Sequence, residues 1–170
     1  MSLSMYEVSV PLFVHTLTSL KAILQKGAAH AEAKKFDPSI LANSRLAPDM
    51  LALVRQVQIA SDAAKGALAR LSGTEPPKFE DTETTLDDLI VRVEKTIAYL
   101  NSFSAAQLDG SDERTVTVKT SRGDFTFNGL SFLRHWALPN FFFHVTTTYN
   151  LLRHNGVELG KSDYLGRVQN

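Results

Sequence analysis

Apolar residues along the chain form four long stretches of helical spacing and one short stretch of strict alternation. From about Ser4 to Lys34, Leu12, Leu17, Leu20, Ile23, Leu24 and Ala28 mark one face of an amphipathic helix. Pro11 removes a backbone donor, so the first turns kink or start afresh there. Phe36-Asp37-Pro38 breaks the pattern, with Asp37 placed to cap a short helix opening on Pro38. A second helix is predicted over about 48–72, its stripe made of Met50, Leu53, Val54, Val57, Ala60, Ala64, Ala67, Leu68 and Leu71. Its many alanines imply close approach to a neighbouring helix. Ser72-Gly73 and the stiff Glu75-Pro76-Pro77 end it. A third helix, about 85–103, buries Leu86, Leu89, Ile90, Val93, Ile97 and Leu100. Thr85 followed three residues later by Asp88 has the spacing of a capping box, and Asp87 and Asp88 suit the positive end of the dipole.

Thr115–Lys119 and Asp124–Asn128 alternate with period two around Ser121-Arg122-Gly123, which predicts a β-hairpin over about 115–128. A lone hairpin is marginal in water, so Val116, Val118, Phe125 and Phe127 should pack it onto the helices. The fourth helix is predicted over about 129–154. Leu138, Phe142, Val145, Tyr149 and Leu152 form its stripe, widened by Phe141, Thr148 and Leu151. Pro139 should kink it, and Asn155-Gly156 should stop it. From about Lys161 the chain reads as a loosely held tail. The pattern is that of one all-α domain over residues 1–170, a four-helix bundle with a short hairpin before the last helix.

Composition narrows the function. Lys+Arg and Asp+Glu are both 18, so the formal net charge is zero, which argues against a nucleic-acid binder. The absence of cysteine excludes disulfides, thiolate zinc sites and cysteine nucleophiles. The N-terminal stretch lacks the basic region of a signal peptide, and no apolar run reaches membrane-spanning length. The expectation is a cytoplasmic protein that binds neither membrane nor nucleic acid.

The densest chemistry lies between Phe132 and Gly160, which holds three of the five histidines. Asn140 and His144 sit four apart and share a helix face. His144 reads either as a ligand-binding group, metal ligand or general base in a bundle cavity, or as a neutral core histidine bonded to Asn140, a threonine or a carbonyl. Asn140 either contacts ligand or satisfies the carbonyl that Pro139 leaves unpaired. His15, on the kinked start of the first helix, is within reach of the same cavity. Gln58 and Asp62 share a face of the second helix. If that face points inward, Asp62 needs a partner, because a buried unpaired carboxylate is costly. His135 reads as a half-buried structural residue, and His30 and His154 lie near helix ends. Phe141-Phe142-Phe143 spreads over much of the helix circumference, a pattern that suggests a homodimer interface. No phosphate loop, nucleophile elbow, H-E-x-x-H or dinucleotide fingerprint is present.

Three segments carry a family resemblance: RLAPDMLALVRQVQIASDAAKGALARLSG (45–73), FEDTETTLDDLI (79–90) and LPNFFFHVTTTYNLLRHNGVELGKSDYLG (138–166). With the order of three helices, hairpin and histidine-rich helix, the chain resembles the DinB/YfiT-like superfamily over nearly its whole length. Within it the chain is most similar to a bacterial branch of unknown function. The resemblance implies an up-down-down-up four-helix bundle. It also implies a metal held by one histidine from the second helix and two from the fourth, spaced H-x-x-x-H. His144 matches the second of that pair, and Asn140 stands at the first. The segment Arg55–Asp62, where the remaining histidine falls, has none; Gln58 and Asp62 are the nearest polar residues. At most one of the three implied ligands is therefore present, His144. Three functions follow. One is a small-molecule-binding module with a degenerate metal site and no cofactor. The second is a transferase using a divalent metal, zinc or nickel, and a low-molecular-weight thiol. The third is a structural or stress-related homodimer without ligand.

Overall fold

The computed structural model describes residues 4–167. Helix α1 spans Val10–Lys34 and begins at Val10 rather than near Ser4. Pro11 sits in its first turn, where a backbone donor would find no intrahelical partner. The residues before it form a separate turn closed by Ser9 Oγ on the Met5 carbonyl at 2.6 Å. Lys35, at φ 58°, ends α1 in the left-handed region. A short α2 (Ser39–Ala42) follows, with Asp37 accepting the Ser39 amide at 2.8 Å. Helix α3 spans Leu53–Ser72 and starts at Leu53, not Pro48. The preceding residues run as turns until the Leu53 amide bonds the Ser44 carbonyl at 3.0 Å. Helix α4 spans Leu86–Leu100 and opens on the capping box: Asp88 N donates to Thr85 Oγ1 at 3.1 Å, and Thr85 N to Asp88 Oδ2 at 3.0 Å.

After a short α5 (Ala105–Leu108), strands β1 (Thr115–Thr120) and β2 (Gly123–Asn128) pair antiparallel, Val116 opposite Phe127 and Val118 opposite Phe125. Helix α6 (Gly129–Phe132) leads through a π-helical turn, Leu133–Ala137, into α7 (Leu138–His154). The π turn stands where a simple kink was expected. Leu138 N bonds back to the Leu133 carbonyl, one residue further than in an α-helix. Pro139 explains it: the ring has no amide to donate and crowds the carbonyl four residues earlier, and a wider turn relieves both. Gly129 starts this unit for a steric reason. A Cβ there would overlap the Ser111 carbonyl of the preceding loop.

The four long helices pack through one core. Helix α1 lies along α4, with Lys21 reaching Glu94 and Gly27 facing Leu86. Helix α3 lies along α7, and Gln56 meets His144. Phe13 and Phe141, both fully buried, join α1 to α7 edge to face at 4.9 Å. Burying a phenylalanine contributes about 1.5–3 kcal/mol, and such a pair adds about 1 kcal/mol. The buried centre of α7 is Phe141, His144, Val145, Thr148, Leu151 and Leu152, whereas Leu138, Phe142 and Tyr149 flank it half-buried. Tyr149 is turned toward the C-terminal segment, which is not a loose tail up to Gly166. Helix α8 (Lys161–Leu165) docks on α1 and α7, with Lys26 on Asp163 at 2.7 Å and Tyr164 against Tyr149 at 6.0 Å between ring centres. Residues 168–170 lie outside the described region.

Candidate functional site

His144 points into the protein and is 8% exposed. Its partner is neither Asn140 nor Asp62 but Gln56, whose Oε1 lies 2.7 Å from Nδ1. The amide of Gln56 is oriented by its other end, since Nε2 donates to the Leu51 carbonyl at 3.0 Å. Oε1 is thus the acceptor, the proton sits on Nδ1, and Nε2 carries the lone pair. Burial lowers the pKa of His144 below its ordinary 6.5, so the ring is neutral at physiological pH. Thr148 Oγ1 donates to the His144 carbonyl at 2.9 Å, which anchors the backbone beneath the ring.

A half-open cavity of about 240 Å³ lies further along the α3–α7 seam, under the hairpin. Ile59, Asp62, Ala63 and Arg70 wall it from α3, and Val118 closes it from β1. Phe132, Trp136, Ala137 and Asn140 complete it. The π turn brings Trp136 and Ala137 to this wall. Trp136 is held there by the hairpin, its ring centre 5.4 Å from Phe125 and 5.9 Å from Phe127. Asn140 is exposed and makes no hydrogen bond among the described residues, so it does not compensate Pro139.

Gln58 and Asp62 belong to a third arrangement, an ionic cluster between α3, α4 and the 74–85 linker. Arg92, 3% exposed, reaches Asp62 at 3.0 Å, Glu83 at 2.9 Å and Asp81 at 3.1 Å. Lys65 also meets Asp62, at 2.9 Å, and Gln58 Nε2 donates to Glu83 at 2.8 Å. Lys65 and Lys95 sit over the Phe79 ring at 4.1 and 4.2 Å. Desolvation works to raise the Glu83 pKa, but hydrogen bonds from Gln58 and Arg92 and the charge of Arg92 outweigh it and hold the carboxyl below its ordinary value. Asp62 thus has its partners and also edges the cavity; Gln58 faces the linker instead.

His15 is exposed on α1 and lies 2.6 Å from the Leu165 carbonyl, so it serves the docking of α8 and not the cavity. His135 is exposed rather than half-buried. The structure therefore brings Asp62 and Asn140 to one cavity, which His144, Gln58 and His15 do not line, and joins Gln58 to Asp62 only through the Arg92 cluster. Sequence reasoning missed Gln56, Arg70 and Trp136. One signal was available for Arg70: Gly66, a glycine inside a helix, stands four residues before it.

Residues 5–165 match the family described as Domain of unknown function (DUF1993). The chain belongs to the DUF1993 family. It is also similar to a DinB family member from Shewanella denitrificans known from a crystal structure. The two are 44% identical, with a TM-score of 0.89 over 97% of this chain and 93% of that one. This DUF1993 chain is accordingly a DinB-like, mostly helical domain with a small two-stranded sheet. No curated protein matches it. The residues at the implied metal position do not fit zinc or nickel. One imidazole is present, its Nδ1 already bonded to the Gln56 amide, and an asparagine stands where the second imidazole of the pair is implied. No group of three or more His, Cys, Asp or Glu side chains stands within metal-binding reach of one another among the described residues. No helix among them is long and apolar enough to cross a membrane.

Proposed function

We propose that the chain is a small-molecule-binding module whose site is the α3–α7 cavity under the hairpin. The observation that carries this reading is the cavity itself: about 240 Å³, half open, with aromatic walls and three polar side chains, Asp62, Arg70 and Asn140. Ligand sites are mostly apolar clefts with a few placed polar groups, and this one lies just below the usual volume range for drug-sized compounds. The test is a thermal-shift screen of small metabolites, with Ala63→Phe as the variant that fills the cavity. Ligands should raise the midpoint of the wild type and not that of the variant. A screen in which no compound raises the wild-type midpoint, or in which the variant responds equally, rejects the site.

Two structural features belong to the same proposal. The four long helices run up-down-down-up. This is supported by opposite sequence progression along α1–α4 and α3–α7, and by the common progression of Phe13–Phe141 and Gly27–Leu152. The chain also forms a homodimer, a reading supported by Phe143, 56% exposed in the middle of α7, and it works in the cytoplasm, in keeping with the lack of cysteine. Light scattering on wild type and Phe143→Ser tests the dimer; a monomer for the wild type rejects it.

A further inference from the structure

Arg70 is the one cavity-lining residue whose charge has no opposite partner among the described residues. Asp62, at the other end of the α3 wall, is already matched by Lys65 at 2.9 Å and Arg92 at 3.0 Å. Arg70 forms no salt bridge among the described residues, and its one hydrogen bond there runs from Nη1 to the Gly66 carbonyl of its own helix at 2.9 Å. A guanidinium has five donors, so most of them are left for a ligand.

Gly66 shows that this placement is built. A glycine inside a helix costs about 1 kcal/mol relative to alanine. Gly66 lies mid-helix and buried, and a Cβ there would overlap Arg70 Nη1. The missing methyl leaves the space in which the guanidinium folds back along α3. Folded back by one turn, the head group is held at the Gly66 carbonyl of its own helix, and Arg70 and Trp136 both line the cavity. Trp136 is in turn held by Phe125 and Phe127, so an aromatic ring and a cation held by a backbone carbonyl line the same opening.

We infer that the cavity takes small monocarboxylates with an aromatic or branched apolar body, a ligand class that rests on the binding role proposed above. The carboxylate pairs with the Arg70 guanidinium, whose planar fork matches it. The apolar body lies against Trp136 and Ile59, and Asn140 meets any polar substituent at the far end. A phosphate dianion fits less well, because the wall offers one uncommitted cation and several apolar side chains.

The chain has a single tryptophan, Trp136, so its emission reports the cavity directly. Phenylacetate, phenylacetamide, phenethylammonium and inorganic phosphate are titrated into the wild type, Arg70→Gln and Gly66→Ala. Far-ultraviolet circular dichroism checks each variant for folding. Phenylacetate should change Trp136 emission saturably, and the amide, the cation and phosphate should bind at least about tenfold more weakly, the scale of a lost charge-assisted hydrogen bond. Arg70→Gln should lose the preference for carboxylate over amide. Gly66→Ala, which keeps the charge but displaces it, should weaken phenylacetate binding several-fold and leave the amide unchanged. Equal binding of acid and amide by the wild type, or an unchanged preference in Arg70→Gln, overturns the carboxylate assignment while leaving a binding cavity. Phosphate binding as tight as phenylacetate overturns it too. Silence toward every probe in the wild type overturns the assignment. Silence there together with a negative metabolite screen overturns the cavity reading as well.

Discussion

His144 is positioned by a side chain 88 residues earlier, and the pairing decides which ring nitrogen is protonated. Gln56 gives its Oε1 to the ring and its Nε2 to the Leu51 carbonyl, so one amide satisfies both the buried imidazole and a backbone carbonyl. Gln56→Leu keeps the volume and removes both bonds. A buried N–H and a carbonyl are then left without partners, and stability should fall by about 1–3 kcal/mol in urea unfolding. Nitrogen NMR of the imidazole should at the same time show the tautomer redistributing between the two ring nitrogens. An unchanged midpoint and an unchanged tautomer would mean that Gln56 is not the partner. None of this pairing was legible along the chain. The face shared by Asn140 and His144 follows from a local period, and that much can be read. The residue opposite His144 depends on the register of α3 against α7, which no local spacing encodes.

At the scale of elements, the local rules explain most of what forms. The Thr85–Asp88 capping box and the alternation of β1 and β2 act within a few residues and are visible as such. The π turn is different: Pro139 announces a disturbance, but whether the chain kinks or widens is settled by what packs around it. The 74–85 linker is another element whose role is tertiary. It reads as a stiff proline segment, yet Asp81 and Glu83 strap it onto Arg92. Arg92→Met should cost about 3 kcal/mol, the lower end for breaking a buried ion pair, because Asp81 and Asp62, 40% and 45% exposed, can regain water. The loss should be local first, so hydrogen exchange should speed up in 79–85 before it does in α1 or α7. Uniform exchange along the chain would argue against the strap.

For the whole molecule, the helical class was legible because apolar periodicity survives across all four long helices, while the site was not, since it is assembled from α3, α7, the π turn and the hairpin at once. The same assembly sets how stability responds to pH. Asp81 is held below its ordinary 3.8: burial opposes this, but Arg55 and Arg92 outweigh it. Glu83 is likewise held below 4.5. In that range the unfolded chain binds protons that the folded chain refuses, so stability is present above it and drains away as pH falls through it. His144 acts in the same direction at higher pH. With its folded pKa depressed by burial, only the unfolded chain protonates just below 6.5, and stability begins to fall there. Tyr99 acts at the other end. Burial raises its pKa above 10.0, despite a hydrogen bond with Thr74 that works the other way, so above that value the unfolded chain ionises first and stability declines again. The urea midpoint should therefore be level from about pH 7 to about pH 10, show a shoulder beginning near pH 6.5, and drop steeply below about pH 4.5. His144→Gln should remove the shoulder and leave the acid drop, and Arg92→Met should soften the drop and leave the shoulder. A wild-type midpoint that stays flat from about pH 7 down to about pH 4 would mean that neither the buried imidazole nor the linker carboxylates are held as the structure places them.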